Sequence, residues 1–156
     1  MDTIDKMILT LLKENSRETA SSIAQKIHLS VSSTISRIKK LEDMGIIENY
    51  TIILNEKKAG LDVTAMMEIS LEHPKYYDSF IAEILHHPNI VDCYYLTGDF
   101  DFNLKIVCES SERLEEIHRT LKSLSGVGAT RTQFVLKEVK NIYSPVLVSP
   151  DVLFED

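Results

Sequence analysis

Residues Thr19–Leu41 read TASSIAQKIHLSVSSTISRIKKL, and this stretch decides the N-terminal half of the fold. It holds no Asp or Glu, although the 156-residue chain carries a formal net charge of −7. Its cations are Lys26, Arg37, Lys39 and Lys40, with Arg17 just upstream. A phosphate backbone requires such a window, because a carboxylate there would repel it. Arg119–Lys137 is equally acid-free, so charge alone does not single the window out. Periodicity adds to it. Ser30 suits a helix N-cap and Gly45 a helix stop. Between them Val31, Ile35, Ile38 and Leu41 recur at helical spacing and are expected to face inward. The opposite face then carries Ser32, Ser33, Ser36, Arg37 and Lys40, short hydroxyls first and longer cations after. A helix entering a major groove needs small side chains near base edges and cations that reach flanking phosphates. Thr19–Ile27 fits a shorter preceding helix with Ile23, Ala24 and Ile27 inward, and His28-Leu29-Ser30 fits the turn. Together they make a helix-turn-helix pattern. A helical hairpin with a solvated Ser/Lys face would read the same way.

Working outward, Asp2 or Thr3 can cap a first helix with Ile4, Met7, Ile8, Leu11 and Leu12 inward. After Gly45, IIENYTIIL (46–54) is rich in β-branched residues and reads as a strand, a wing or edge beside the helices. The polar run 55–60, ending in glycine, reads as part of a linker over 55–61. The expected boundaries are a DNA-binding domain over 1–54, a second domain over 62–141 and a tail over 142–156. Charge divides the same way: residues 1–60 hold nine Lys/Arg and eight Asp/Glu, residues 61–156 eight and sixteen. An acidic second half would orient the molecule with its first half toward DNA.

The second half alternates. Strands are expected over 63–71, 90–96, 102–108 and 130–140, and helices over Tyr76–His86 and 110–124. Phe80, Ile81, Ile84 and Leu85 face inward from the first helix, and Leu114, Ile117, Leu121 and Leu124 from the second. Gly126-Val127-Gly128 turns the chain. The order β-α-β-β-α-β predicts an α+β, ferredoxin-like four-stranded antiparallel sheet with two helices on one face. With Met66, Tyr94, Leu104, Ile106, Phe134 and Leu136 on its strands, the bare face is expected to be apolar and to pair in a symmetric dimer. A dimer would present two reading helices to a near-palindromic site.

Between two of those strands lies TGDFD (97–101). Gly98 allows a tight turn, and Asp99 and Asp101 place carboxylates beside exposed backbone N–H groups. Such a loop can hold a zwitterion, carboxylate to ammonium and N–H to α-carboxylate. It can equally be a hairpin turn in which Asp caps itself. Thr130 and Thr132 could lend hydroxyls nearby.

Four blocks, DTIDKMIL, LSVSSTISRIKKLEDMGIIENY, LTGDFDFNLK and GVGATRTQFVLKEVK, stand in an order and spacing that resemble the Lrp/AsnC (feast/famine) family of transcriptional regulators. The resemblance runs from Asp2 to about Lys140. It implies a winged helix-turn-helix followed by a ligand-sensing (RAM-type) domain. It also implies homodimers that assemble to octamers or other higher oligomers, and an amino acid or related effector bound between C-terminal domains. No other cofactor and no metal is implied. Residue by residue, Gly98, Asp99 and Asp101 match the family's G-D-x-D loop, and Thr130 and Thr132 its T-x-T strand start. Ser32, Ser33, Ser36, Arg37 and Lys40 occupy the DNA-facing positions. The family frequently has Gly where this chain has His28.

No run of about 18 apolar residues exists, and MDTIDKMILTLLKEN lacks the marks of a secretion signal. Cys93 and Cys108 form no CxxC and suit a reduced cytoplasm. No Ser/His/Asp arrangement, phosphate loop or metal-ligand spacing is recognisable, so an enzyme is not expected. Two alternatives share the fold: a sirohaem-decarboxylase-like enzyme, which would need basic residues for the propionates and a proton donor, often His, and an architectural DNA-binding protein indifferent to any ligand.

Overall fold

The computed structural model describes residues 1–145. The described residues divide into two compact units, Met1–Ile53 together with 140–145, and Leu54–Val139; the rest of the expected tail, 146–156, lies outside the described residues.

In the first unit, α1 (Thr3–Glu14) is started by a capping box. The Asp2 side chain accepts from the Asp5 N–H, and the Asp5 side chain accepts from the Asp2 N–H. α2 (Ala20–Lys26) is capped by Thr19 and α3 (Val31–Asp43) by Ser30. Ile8, Leu11, Leu12, Ile23, Ile27 and Leu41 form the core, with Ile4, Met7, Leu29 and Ile38 packed on its margin. α2 ends in a Schellman turn: the Leu29 N–H reaches the Ala24 carbonyl at 2.9 Å. That turn holds His28 at φ 54°, the left-handed region in which glycine is most at ease. α3 stops the same way, with Gly45 at φ 66° and Ile46 N–H bonded to the Leu41 carbonyl.

Two expectations fail in this unit. The inward stripe of α3 is Thr34, Ile38 and Leu41, not Val31 and Ile35, which are 43% and 52% exposed, whereas Thr34 is fully buried. Thr34 can take the inner position because its hydroxyl bonds back to the Ser30 carbonyl at 3.1 Å, removing the cost of burying it. Residues 46–54 form no strand; all but Ile47 are exposed. β-branched composition does not make a strand without a partner edge, and none is supplied. Tyr50 ties the run to α3 by donating to Glu42 at 2.8 Å, and partial desolvation of the hydroxyl, with that carboxylate, pushes the phenol up to about 12.

The second unit comprises β1 (Val63–Leu71), α4 (Tyr77–Leu85), β2 (Ile90–Tyr95), β3 (Phe102–Cys108), α5 (Ser111–Lys122) and β4 (Val127–Phe134). The strands lie in the order β2-β3-β1-β4, each pair antiparallel. Alternate residues of the two central strands, Ala65, Met67, Ile69 and Phe102, Leu104, Ile106, Cys108, pack against Phe80, Ile84, Leu114, Ile117 and Leu121 from the helices. Leu85 does not join them and is 75% exposed. β4 starts earlier and stops earlier than the composition suggests. Val127 already pairs with Leu71, and the last bond runs from the Val135 N–H to Thr64, because β1 begins at Val63 and offers no partner beyond.

The open face of the sheet is not the apolar surface expected. Leu104 and Ile106 point into the core. The register instead lines up Tyr94, Asn103, Glu68 and Arg131 in one row, and Asp92, Lys105, Met66 and Gln133 in the next. Arg131 pairs with Glu68 at 2.8 Å, and Lys105 lies 3.4 Å from Glu56 and 3.5 Å from Glu138. The period of two sends most hydrophobic members of the two central strands to one side and their charged members to the other, where Met66 and Tyr94 stand among polar residues.

Candidate DNA-reading helix and effector loop

The five residues assigned to DNA come together on the exposed side of α3. Ser32, Ser33, Ser36, Arg37 and Lys40 line one open concavity. The serines start the helix: Ser30 bonds the Ser33 N–H, and its hydroxyl also meets those of Ser32 and Ser33. Lys40 has no ion-pair partner among the described residues, so its charge is available to a phosphate.

The same concavity contains three residues the sequence pattern missed: Met1, Asp2 and Asp5. Arg37 Nη1 donates to Asp2 Oδ2 at 2.8 Å and to Asp5 Oδ1 at 2.6 Å. The window that is acid-free in sequence is therefore not acid-free in space. The Asp5 N–H holds the Asp2 carboxyl below its usual range, and the Arg37 guanidinium lowers it further. The pair in turn raises Arg37. The signal was present in the sequence as Asp2-x-x-Asp5 ahead of an apolar run, which reads as a cap and says nothing of a partner 32 and 35 residues away.

In the second unit the TGDFD hairpin joins β2 to β3. Gly98 sits at φ 136°, open to glycine alone. Gly98 and Asp99 are exposed, and among the described residues their N–H groups have no acceptor. Asp101 is different. Its N–H bonds to Ile69, its carbonyl accepts from Leu96, and its Oδ2 accepts from the Leu71 N–H at 2.6 Å. One carboxylate oxygen thus fastens the hairpin to the end of β1, leaving Asp99 as the unengaged carboxylate. Thr130 lies opposite Ile69, which lies opposite Phe102, so it flanks the loop's end of the sheet two strands away. Thr132 sits one pleat deeper, its hydroxyl buried without a hydrogen-bond partner. Two further contacts were not anticipated. Arg131 stacks its guanidinium 4.6 Å from the Phe100 ring, tying the loop to β4. Tyr77 and Tyr95 meet edge to face at 5.1 Å, over Phe102, at the base of the hairpin.

Histidines take local roles: His73 caps a turn by accepting from the Lys75 N–H, and His87 accepts from the Asn89 N–H. Among the described residues no cluster of His, Cys, Asp and Glu is placed to hold a metal, and no helix is long and apolar enough to cross a membrane.

A polar, cation-bearing second helix on one unit and a sheet unit with an open polar loop define a DNA-binding regulator with a separate ligand-binding part. The comparisons agree. Residues 1–48 match the winged helix-turn-helix DNA-binding model, and residues 64–145 match the Lrp/AsnC ligand binding domain. An HTH-type transcriptional regulator of Pyrococcus furiosus is 36% identical over 90% of this chain and 94% of its own length. The leucine-responsive regulatory protein of Haemophilus influenzae is 34% identical over 90% of this chain and 86% of its own. A transcriptional regulator of Neisseria meningitidis, solved in complex with L-Met, superposes with a TM-score of 0.89 at 29% identity, covering 97% of this chain and 99% of its own. The chain belongs to the Lrp/AsnC family of transcriptional regulators.

Proposed function

We propose that this protein binds operator DNA sequence-specifically through α3, as a homodimer that assembles to an octamer or other higher oligomer. An amino acid or related small effector, bound at the Thr97–Asp101 loop between C-terminal domains, modulates that binding. Ser32, Ser33, Ser36, Arg37 and Lys40 meet the duplex. Gly98, Asp99 and Asp101, with Thr130 and Thr132 at the same end of the sheet, serve the effector. The observation that carries this reading is the hairpin itself: N–H groups at Gly98 and Asp99 and the Asp99 carboxylate, all without partners among the described residues, stand side by side as the two halves of a zwitterion site. The L-Met held by the Neisseria relative points to the same ligand class. The exposed run Ile46, Tyr50, Ile52, Ile53 and Leu54 supports self-association, since an exposed apolar stretch of this size suits burial against a second chain. The open sheet face, being charged, supports it less. That the relatives are named transcriptional regulators supports a regulatory action over an enzymatic one. The unpaired thiols Cys93 and Cys108 fit a reducing cytoplasm.

An effector that prefers one assembly state shifts DNA affinity by its differential binding, typically about 1–3 kcal/mol. Thermal-shift screening against the twenty amino acids, followed by DNA-binding isotherms with and without the hit, tests this. The expected result is one or a few amino acids that raise the melting temperature and change DNA affinity several-fold. DNA affinity indifferent to every amino acid would leave the architectural reading in its place.

A further inference from the structure

Each carboxylate at the start of α1 is used twice. Asp2 Oδ1 accepts the Asp5 N–H at 2.8 Å, and its Oδ2 accepts Arg37 Nη1 at 2.8 Å. Asp5 mirrors it: Oδ2 accepts the Asp2 N–H at 2.9 Å, and Oδ1 accepts Arg37 Nη1 at 2.6 Å. All four oxygens are engaged, so the box that caps α1 is also the clamp on α3. Nη1 carries two protons, and both are taken. Nε and Nη2 have no acceptor among the described residues, and the Arg37 side chain is 32% exposed. A guanidinium with Nη1 occupied keeps its side-on edge, Nε and Nη2, as a planar two-donor fork. That fork matches the paired acceptors O6 and N7 of guanine in the major groove.

We infer that Asp2 and Asp5 are positioning residues for DNA readout: they hold Arg37 with its Nε–Nη2 edge free for a base, and their charge weakens the helix face's attraction for phosphate in general. The inference rests on the DNA-reading role proposed above. A free arginine on this face would swing to any nearby phosphate and add affinity for all sequences alike. Clamped between two carboxylates, it has little left for phosphates and is set in place before the duplex arrives. The clamp therefore gives up general affinity and gains discrimination.

The test uses the full-length chain. A preferred duplex is first enriched from a random library with the wild-type protein. Affinities for that duplex and for a scrambled one are then measured at fixed salt for wild type, Asp2→Asn/Asp5→Asn, Arg37→Ala and the triple variant. Asn remains a good N-cap, so α1 keeps its start, and circular dichroism checks it. In the double variant, scrambled DNA is expected to bind more tightly while the preferred-to-scrambled ratio falls about ten-fold, the discrimination carried by one bidentate base contact. In the Arg37→Ala background the same two changes should leave the ratio unmoved. Arg37→Lys, which keeps the charge and loses the fork, should lower the ratio as the double variant does, and it serves if the double variant does not fold. A ratio that holds or rises in the double variant overturns the inference, as does an equal fall with and without Arg37, which would mark a structural role only. Failure of the wild-type protein to enrich any sequence would overturn the DNA-reading role itself, and this inference with it.

Discussion

Asp5 Oδ1 and Arg37 Nη1 lie 2.6 Å apart, joining the first turn of α1 to the polar face of α3. Asp2 shares that contact, and its carboxyl sits below the usual value of 3.8. A carboxylate whose pKa is lowered by folding stabilises the protein fully above its unfolded pKa, and the contribution is lost as pH falls through the folded one. Acid titration of the unfolding midpoint should therefore fall from about pH 4 downward. Asp2→Asn should show a shallower fall than wild type. Parallel profiles would mean that the cap and clamp are absent in solution.

Lys40 has no ion-pair partner among the described residues and stands on the face of α3 proposed to meet DNA. Lys40→Ala should weaken binding to preferred and scrambled DNA alike and reduce the slope of log K against log salt by about 0.9, one phosphate contact. Salt titration of binding to a single duplex measures it. An unchanged slope would place Lys40 away from the backbone.

His28 occupies a left-handed turn at φ 54°. A glycine there loses the side-chain penalty and regains some unfolded-state entropy, for a net stabilisation of about 0.5–1 kcal/mol. A β-branched residue has no such relief. Urea denaturation should rank His28→Gly above wild type and wild type above His28→Val. Any other order contradicts the turn geometry.

The two aspartates of the hairpin should separate in function. Asp99→Ala is expected to abolish the amino-acid-induced rise in melting temperature while leaving the unliganded protein's stability unchanged. Asp101→Ala is expected to cost about 1–2 kcal/mol by leaving the Leu71 N–H without its acceptor, whether or not a ligand is present. Melting curves of both variants, with and without the effector found by screening, distinguish them.

Gly126 has φ 82°, and a Cβ added there would run into the Tyr76 ring. Gly126→Ala should lower stability by about 3 kcal/mol, combining backbone strain with a side chain forced aside. Denaturant titration checks this, and a loss below about 1 kcal/mol would show that Tyr76 yields freely.

Much of this molecule was written locally. Asp2, Thr19, Ser30 and Ser110 cap the helices where their side chains suit it, and Gly45 ends α3. The alternation of β1 and β3 sends Met67 and Leu104 to the core. Caps, turns and periodicity act over about four residues, so a linear reading finds them. Tertiary structure alone decided the rest. It turned Val31 and Ile35 outward and Thr34 inward, because the neighbours of a helix face depend on how the helices pack. It left residues 46–54 without a strand, because a strand is a property of two segments. It set Asp2 and Asp5 against Arg37 and Asp101 against Leu71, because an ion pair or a side-chain cap needs only proximity, which packing supplies between residues about thirty apart in the chain.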